Sequence, residues 1–335
     1  MKIAIQKTKT GFTNRWISYC QEKKYDFIIV DIYNNSFFES DLKIDIFLWH
    51  VSHENHKDNL IAFPLVKTLE LKGIKVFPSS YQLWHFDDKI SQALFFKSQK
   101  IRHPKTSYFF EKRAALKILD NISYPFVAKL RKGSASSNVF LIENKFQAAK
   151  IVRKSFSKGF PLYNLRNRYI DKIRNTAGFV NKSFEVIKFF YRYFNPPYYS
   201  KMMQREKGYI LFQEFIKNKN YDTRVVVVGE KAIALQRYTR DSDFRASGSG
   251  KIHYPNEKLD FNYIKMAFDI SDRLKVNSIG IDFIKSIDNK IYAIEMSFGF
   301  PSENFLDNSS GYWTRNERFV KSKICAQEWI LENLI

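Results

Sequence analysis

Two acids stand where core residues would be expected. In GIDFIKSIDNKIYAIEMS, residues 280–297, apolar runs flank the turn-forming pair Asp288-Asn289, and each run carries one carboxylate, Asp282 and Glu295. A two-residue turn at that pair predicts Asp282 directly opposite Glu295, with Ile281, Phe283, Ile294 and Met296 on the other face. Cross-strand partners lie roughly 5 Å apart at Cβ, where like charges repel. A hard cation, Mg²⁺ or Mn²⁺, would remove that penalty, because carboxylate oxygens suit it. The plainer alternatives are an acid turned to solvent or a bulge that breaks the register.

Cationic residues recur in similar settings. In DTRVVVVGEKAIALQR a two-residue turn at Gly229-Glu230 sets Asp222 opposite Arg237, with Arg224 on the same face and Val225, Val227, Ala232 and Ala234 on the other. Paired arginines suit a phosphate or a carboxylate; otherwise they form a surface salt-bridge ladder worth under ~1 kcal/mol. Lys129 shares a strand face with Val127 in YPFVAKL, and burying an ammonium without a partner is costly. A phosphate is an apt partner, since the following loop, residues 132–137, offers backbone and hydroxyl donors; the alternative is a lysine snorkelling from an edge strand. His50, His53 and His56 recur every third residue. Zinc would need a further ligand, and no cysteine is near, which leaves a place in a substrate cleft or an ordinary polar loop.

The elements that must hold these residues follow from periodicity. Strands are predicted at 2–6, 26–32, 44–50 and 74–78, with helices near 12–24 and at 57–72, so the chain opens with a small α/β unit on a parallel sheet. A helix at 87–100 precedes strands at 124–132 and 138–144 and a helix near 145–156. Beyond residue 207 come the strand GYILFQEFI, the Asp222–Arg237 hairpin, a helix near 260–275, the Asp282–Glu295 hairpin and a final helix near 322–334. The 335 residues are 44% hydrophobic, which is globular composition, and no apolar run approaches the ~18 residues of a membrane span. The start MKIAIQKTKTGF reads as a first strand, not a signal peptide, and two cysteines, Cys20 and Cys325, fit a reducing cytoplasm.

The order of these pieces resembles the ATP-grasp superfamily, and within it ligases akin to ribosomal protein S6 glutamate ligase. The carriers are Asp88-Lys89, YPFVAKLRKGSASSNVFLI, QEFI, the D-x-R-V-V-V-V-G hairpin ending in Arg237, FRASGSG, GIDF and Glu-Met-Ser, across about residues 85–150 and 208–300. The resemblance implies an α/β chain, α+β in its C-terminal part, with nucleotide bound between two α+β subdomains behind a pre-ATP-grasp unit. The implied domains are 1–85, then 86–210 carrying an insert at about 153–207, then 211–335 with the metal site. It further implies that Lys89 and Lys129 contact ATP phosphates and that Gln213, Glu214, Phe215 and Ile216 read the adenine, with Asp222 beside the nucleotide. Asp282, Glu295 and Ser297 would hold Mg²⁺ or Mn²⁺; Arg224, Arg237 and Arg245 would serve the γ-phosphate and substrate. Ser297 replaces the usual asparagine of the metal strand, and Asn138 stands where a glycine is common. SGSGK at 247–251 fails the P-loop pattern at Arg245 and Ile252 and reads as a loop over the nucleotide.

Such enzymes phosphorylate a carboxylate with ATP, and an amine then attacks the acylphosphate. The resemblance favours a sugar carboxylate in surface-polysaccharide biosynthesis; peptide or protein glutamylation and a degenerate nucleotide- or nucleic-acid-binding protein are the alternatives. The net charge of +21 points to anionic partners. Residues 153–207 hold 13 Lys and Arg against three Asp and Glu, a net of +10, and are dense in Phe and Tyr. That insert could select the second substrate, dock on an anionic membrane or bind a polyanionic glycan; nucleic acid is not expected, and a homodimer is open. The expected location is the cytoplasm, with the inner membrane face as a variant.

Overall fold

A computed structural model describes residues 1–8, 11–39, 43–133, 138–162, 179–239, 244–246, 250–300, 306 and 308–335, with the backbone alone for 179–182. The loops expected at 134–137 and 247–249 lie outside the described residues. The chain divides into two compact units, one of Met1–His53, Lys57–Pro104 and Ile216–Ile335, the other of Glu54–His56 and Lys105–Phe215.

The first unit opens with strands β1 (Lys2–Gln6), β2 (Asp26–Val30), β3 (Ile46–Leu48) and β4 (Lys75–Phe77), paired in parallel in the order β2-β1-β3-β4. Parallel neighbours cannot be joined by a tight turn, so helices Thr13–Lys23 and His56–Leu71 make the crossovers. Gly73, left-handed at φ 79°, ends the second helix where the sequence placed a stop.

The second unit is an antiparallel sheet of β5 (Thr106–Phe109), β6 (Phe126–Lys129), β7 (Val139–Ile142) and β8 (Ile210–Glu214), in the order β5-β8-β6-β7. Helices Lys112–Lys117 and Lys145–Ser155 bring Ala115, Ala148 and Val152 onto Phe126, Ala128 and Phe212. Strand β5 was not anticipated, since TSYF is a short, half-exposed edge that carries little apolar signal. Helices Phe179–Phe194 and Tyr198–Met202 precede β8.

The larger sheet of the first unit contains β9 (Tyr221–Val228), β10 (Lys231–Tyr238), β11 (Ile252–His253), β12 (Ser278–Lys285), β13 (Ile291–Ser297), β14 (Gly311–Thr314) and β15 (Phe319–Lys321). Its order is β13-β12-β9-β10-β14-β15, with β11 also on β10. Helix Asn262–Leu274 covers one face, packing on Val225, Val227, Ile279 and Phe283. On the opposite face Val226, Val228, Ile233 and Leu235 share a core with β1, β3 and helix Ala326–Glu332. A strand covered on both sides needs no polar alternation, which is why β9 reads Val-Val-Val-Val. Its turn into β10 demands Gly229: φ is 58°, and a Cβ there would stand 2.5 Å from the Asn333 side chain.

Candidate functional site

The β9–β10 hairpin sets the register that its two-residue turn requires. Asp222 pairs with Arg237, and Arg224 lies one pair along on the same face. Sheet order then adds what the hairpin alone could not supply: β12 lies against β9 with Asp282 opposite Arg224. The polar end of this sheet face is continuous with the apolar end formed by Val226 and Val228.

The β12–β13 hairpin reaches the expected facing of Asp282 and Glu295 by a different route. Its loop is not the two-residue turn at Asp288-Asn289: Ser286 N–H donates to Lys290 O at 2.9 Å, and Asn289 is left-handed at φ 64°. Phe283 consequently pairs with Ala293, and a shift between Asp282 and Phe283 restores Asp282 opposite Glu295. The bulge falls at Ile294, so Ala293 and Met296 face the core with Ile281 and Phe283, whereas Ile294 is only half-buried. The expected set of Ile281, Phe283, Ile294 and Met296 is corrected at that one residue.

Side chains on this face form a closed ionic network. Arg224 donates from Nε to Asp282 Oδ1 at 2.6 Å and from Nη2 to Oδ2 at 2.8 Å. Arg237 donates from Nε and Nη2 to the two oxygens of Asp222, both at 2.7 Å, and from Nη2 to Asp282 Oδ2 at 2.7 Å. Two carboxylates and two guanidinia cancel in charge. Asp222, Arg237 and Asp282 are all buried, with 6%, 5% and 5% exposure, so the compensation is needed. Burial pushes the Asp222 carboxyl up to about 6 against the pull of Arg237. Burial acts on Asp282 as well, but there Arg224 and Arg237 outweigh it and hold the carboxyl well below the usual range. The repulsion that the sequence assigned to a metal ion is thus met, at Asp282, by guanidinium.

Beside the network, Lys89 opens helix Lys89–Ser98 behind an Asp88 cap that accepts from Ile90 and Ser91 N–H at 3.0 and 3.1 Å. Its buried ammonium lies 3.9 Å from Glu295 and 4.0 Å from Asp87. Gln92, one turn on, fixes this helix to β13: it donates to Met296 O at 2.9 Å and accepts from Met296 N–H at 3.2 Å. Neither Asp87 nor Gln92 was singled out from sequence. The helical spacing from Lys89 to Gln92 was the available signal, and only the strand it meets gives it meaning.

Asp282, Glu295 and Ser297 lie on one face, since Gly280 pairs with Ser297. Their donors are all oxygen, as a hard cation prefers. Asp282 Oδ1 accepts one guanidinium bond and so keeps a lone pair, Glu295 is 41% exposed in its side chain, and Ser297 Oγ accepts from Gly299 N–H at 3.1 Å. The donor set fits Mg²⁺.

In the second unit Lys129 ends β6, half-buried, with Leu211 of β8 and Val139 of β7 as its register partners. Gln213 gives its amide to Thr106 Oγ1 at 2.9 Å, and Glu214 exchanges backbone bonds with the neighbouring strands. Those two residues are committed to the sheet, whereas Phe215 and Ile216 leave it. Arg245 is half-buried in the stretch 244–246. Of the three histidines, His50 packs on Phe12, His53 on Phe86 and His56 on Tyr198. Among the described residues no group of three or more His, Cys, Asp and Glu could hold a metal.

Residues 196–304 match the RimK-like ATP-grasp domain family. No curated protein matches the chain in sequence. Among solved structures, a RimK domain ATP-grasp protein from Sphaerobacter thermophilus has a TM-score of 0.52 at 14% identity, over 88% of this chain and 90% of that one. The ATP-grasp ligase PsnB, in complex with a minimal precursor, Mg and ADP, has 0.60 at 9% identity over 100% and 97%. D-alanine–D-alanine ligase from Bacillus anthracis with ATP has 0.55 at 13% identity over 92% and 90%. The chain has the ATP-grasp fold, as the order of its sequence motifs led us to expect.

Proposed function

We propose that this ATP-grasp chain is an ATP-dependent ligase joining a carboxylate to an amine through an acylphosphate. The observation that carries the reading is the charged end of one sheet face, where Asp282 is held by Arg224 and Arg237 with Lys89 and Glu295 alongside. It lies within the stretch that matches the RimK-like domain, apart from Lys89. Phosphoryl transfer asks for charged groups fixed in place more than for a protein nucleophile, and this face holds guanidinium, ammonium and carboxylate groups in fixed positions.

In the first step a substrate carboxylate oxygen attacks the γ-phosphorus and the bond to the β-phosphate oxygen breaks, releasing ADP. In the second the amine nitrogen attacks the acyl carbon, phosphate leaves, and the nitrogen loses a proton to solvent. Lys89 and Lys129 bind phosphate oxygens, and the backbone at Phe215 and Ile216 reads the adenine edge. Arg224, with 18% side-chain exposure, orients the anionic reactants at the open side of the network, whereas Arg237 holds Asp222 and Asp282 from beneath; Arg245 serves the substrate. Asp282, Glu295 and Ser297 hold Mg²⁺, which when bound neutralises charge on the phosphates.

For the substrates we take amidation of a sugar carboxylate, consistent with the net charge of +21. Peptide or protein amino-acid ligation is the second reading, favoured by the likeness to PsnB over the full length of the chain. ADP release is measured against a panel of sugar acids, amino acids and peptides, each with and without an amine. Release that requires both an acid and an amine supports the ligase; Glu295→Gln and Lys129→Ala should each lower it by about 100-fold or more. Release indifferent to every acid and amine, or unchanged in both variants, removes the reading.

A further inference from the structure

The helix Phe179–Phe194 exposes what a folded chain ordinarily hides. Phe184, Ile187, Phe190, Tyr191 and Phe194 recur at helical spacing, and their exposures run from 57% to 75%. Scattered exposed apolar residues are ordinary, but a contiguous aromatic stripe marks a surface that binds something. With Val186, Phe189 and Tyr193 the apolar arc takes in more than half of the helix circumference at 100° per residue. The remaining arc is narrow and charged: Glu185, Lys188 and Arg192, of which Glu185 and Lys188 pair at 3.0 Å.

We infer that this helix lies flat in the headgroup region of an anionic phospholipid surface and docks the protein there. Length argues against crossing, since 16 residues span about 24 Å, short of a bilayer core of about 30 Å. No helix among the described residues is long and apolar enough to cross a membrane. Width argues against a second copy of the chain, because a helix pair buries a narrow seam and leaves the rest polar. Charge decides the kind of surface. Residues 153–207 carry 13 basic against three acidic side chains, a net of +10, so two copies would repel whereas an anionic lipid surface would attract. Phe and Tyr, with an apolar body and, in Tyr, a polar tip, suit the interface. Tyr198 and Met202 of the next helix are exposed as well.

The test is co-sedimentation of the full chain with vesicles of phosphatidylcholine containing about one third phosphatidylglycerol, against pure phosphatidylcholine. Binding to the anionic vesicles alone is expected, falling as salt rises from about 0.05 to 0.5 M. The double substitution Ile187→Asp, Phe190→Asp should weaken it by roughly ten- to a hundred-fold. Because both side chains are exposed, its Tm and ATP affinity should match the wild type. Lys188→Gln with Arg192→Gln should flatten the salt dependence while leaving the apolar contact. Absence of wild-type binding, equal binding to neutral vesicles, or undiminished binding by the Asp variant overturns the inference. So does a concentration-dependent oligomer that the Asp variant dissolves, which would assign the stripe to a second copy.

Discussion

At the scale of single residues, the network around Asp282 separates stability from chemistry. Arg237 is buried and bonded to both Asp222 and Asp282, so Arg237→Leu strands the buried Asp222, takes one of three guanidinium bonds from Asp282, and should cost about 3–5 kcal/mol in urea unfolding. Glu295 stands half-exposed at the edge of the same cluster. Glu295→Gln should therefore shift stability by no more than ~0.5 kcal/mol while ADP formation falls. Equal destabilisation by the two substitutions would contradict this division. Sequence showed the pairing of Asp222 with Arg237 because a two-residue turn fixes register. It could not show that Asp282 takes up Arg224, since that bond depends on β12 lying against β9, 58 residues apart in sequence.

Among elements, the critical joint is helix Lys89–Ser98 against β13. One side chain, Gln92, satisfies both the N–H and the C=O of Met296. Gln92→Leu leaves those buried groups unpaired and should cost about 2–4 kcal/mol. It should also raise KM for ATP, because Lys89 and Glu295 lose their common anchor; a variant with lowered stability and wild-type KM would refute that coupling. The helix itself was legible from its periodicity. Strand β5 was not, because a short edge with two exposed residues out of four carries no alternation to read. The β12–β13 loop was misread for a related reason. A bulge at Ile294 offsets a longer loop by one residue, and local turn chemistry cannot see the offset.

For the whole molecule, the burial of histidine sets the response to acid. His85 is wholly buried, neither ring nitrogen has a hydrogen-bond partner among the described residues, and burial pushes its pKa down to about 3. Burial, aided by His53, lowers His50 to about 4. Both are neutral when folded but titrate near 6.5 when unfolded, so the unfolded chain binds more protons below that pH. Their stabilising effect is complete above pH 6.5 and declines as pH falls towards 4, at about 1.4 kcal/mol per unit for each. Asp222, raised to about 6, acts in the opposite sense between about 6 and 4 but only once. The net expectation is a loss of about 3 kcal/mol between pH 7 and pH 5, read by urea unfolding at the two values. His85→Phe should remove a large part of that loss, and equal stability at both pH values would refute the account.

Sequence by itself determined the pieces whose cause is local. Apolar periodicity set the helices and central strands, a glycine turn set the Asp222–Arg237 register, and the order of motifs announced the ATP-grasp fold. Tertiary structure alone decided which charges meet. Of the two acids that looked unbalanced in one hairpin, Asp282 is balanced by arginines from another, because sheet order brings their strands together, and Glu295 has Lys89 of a helix beside it. Burial then turns that pairing from optional to necessary, since charge removed from water must find its counter-charge within the protein.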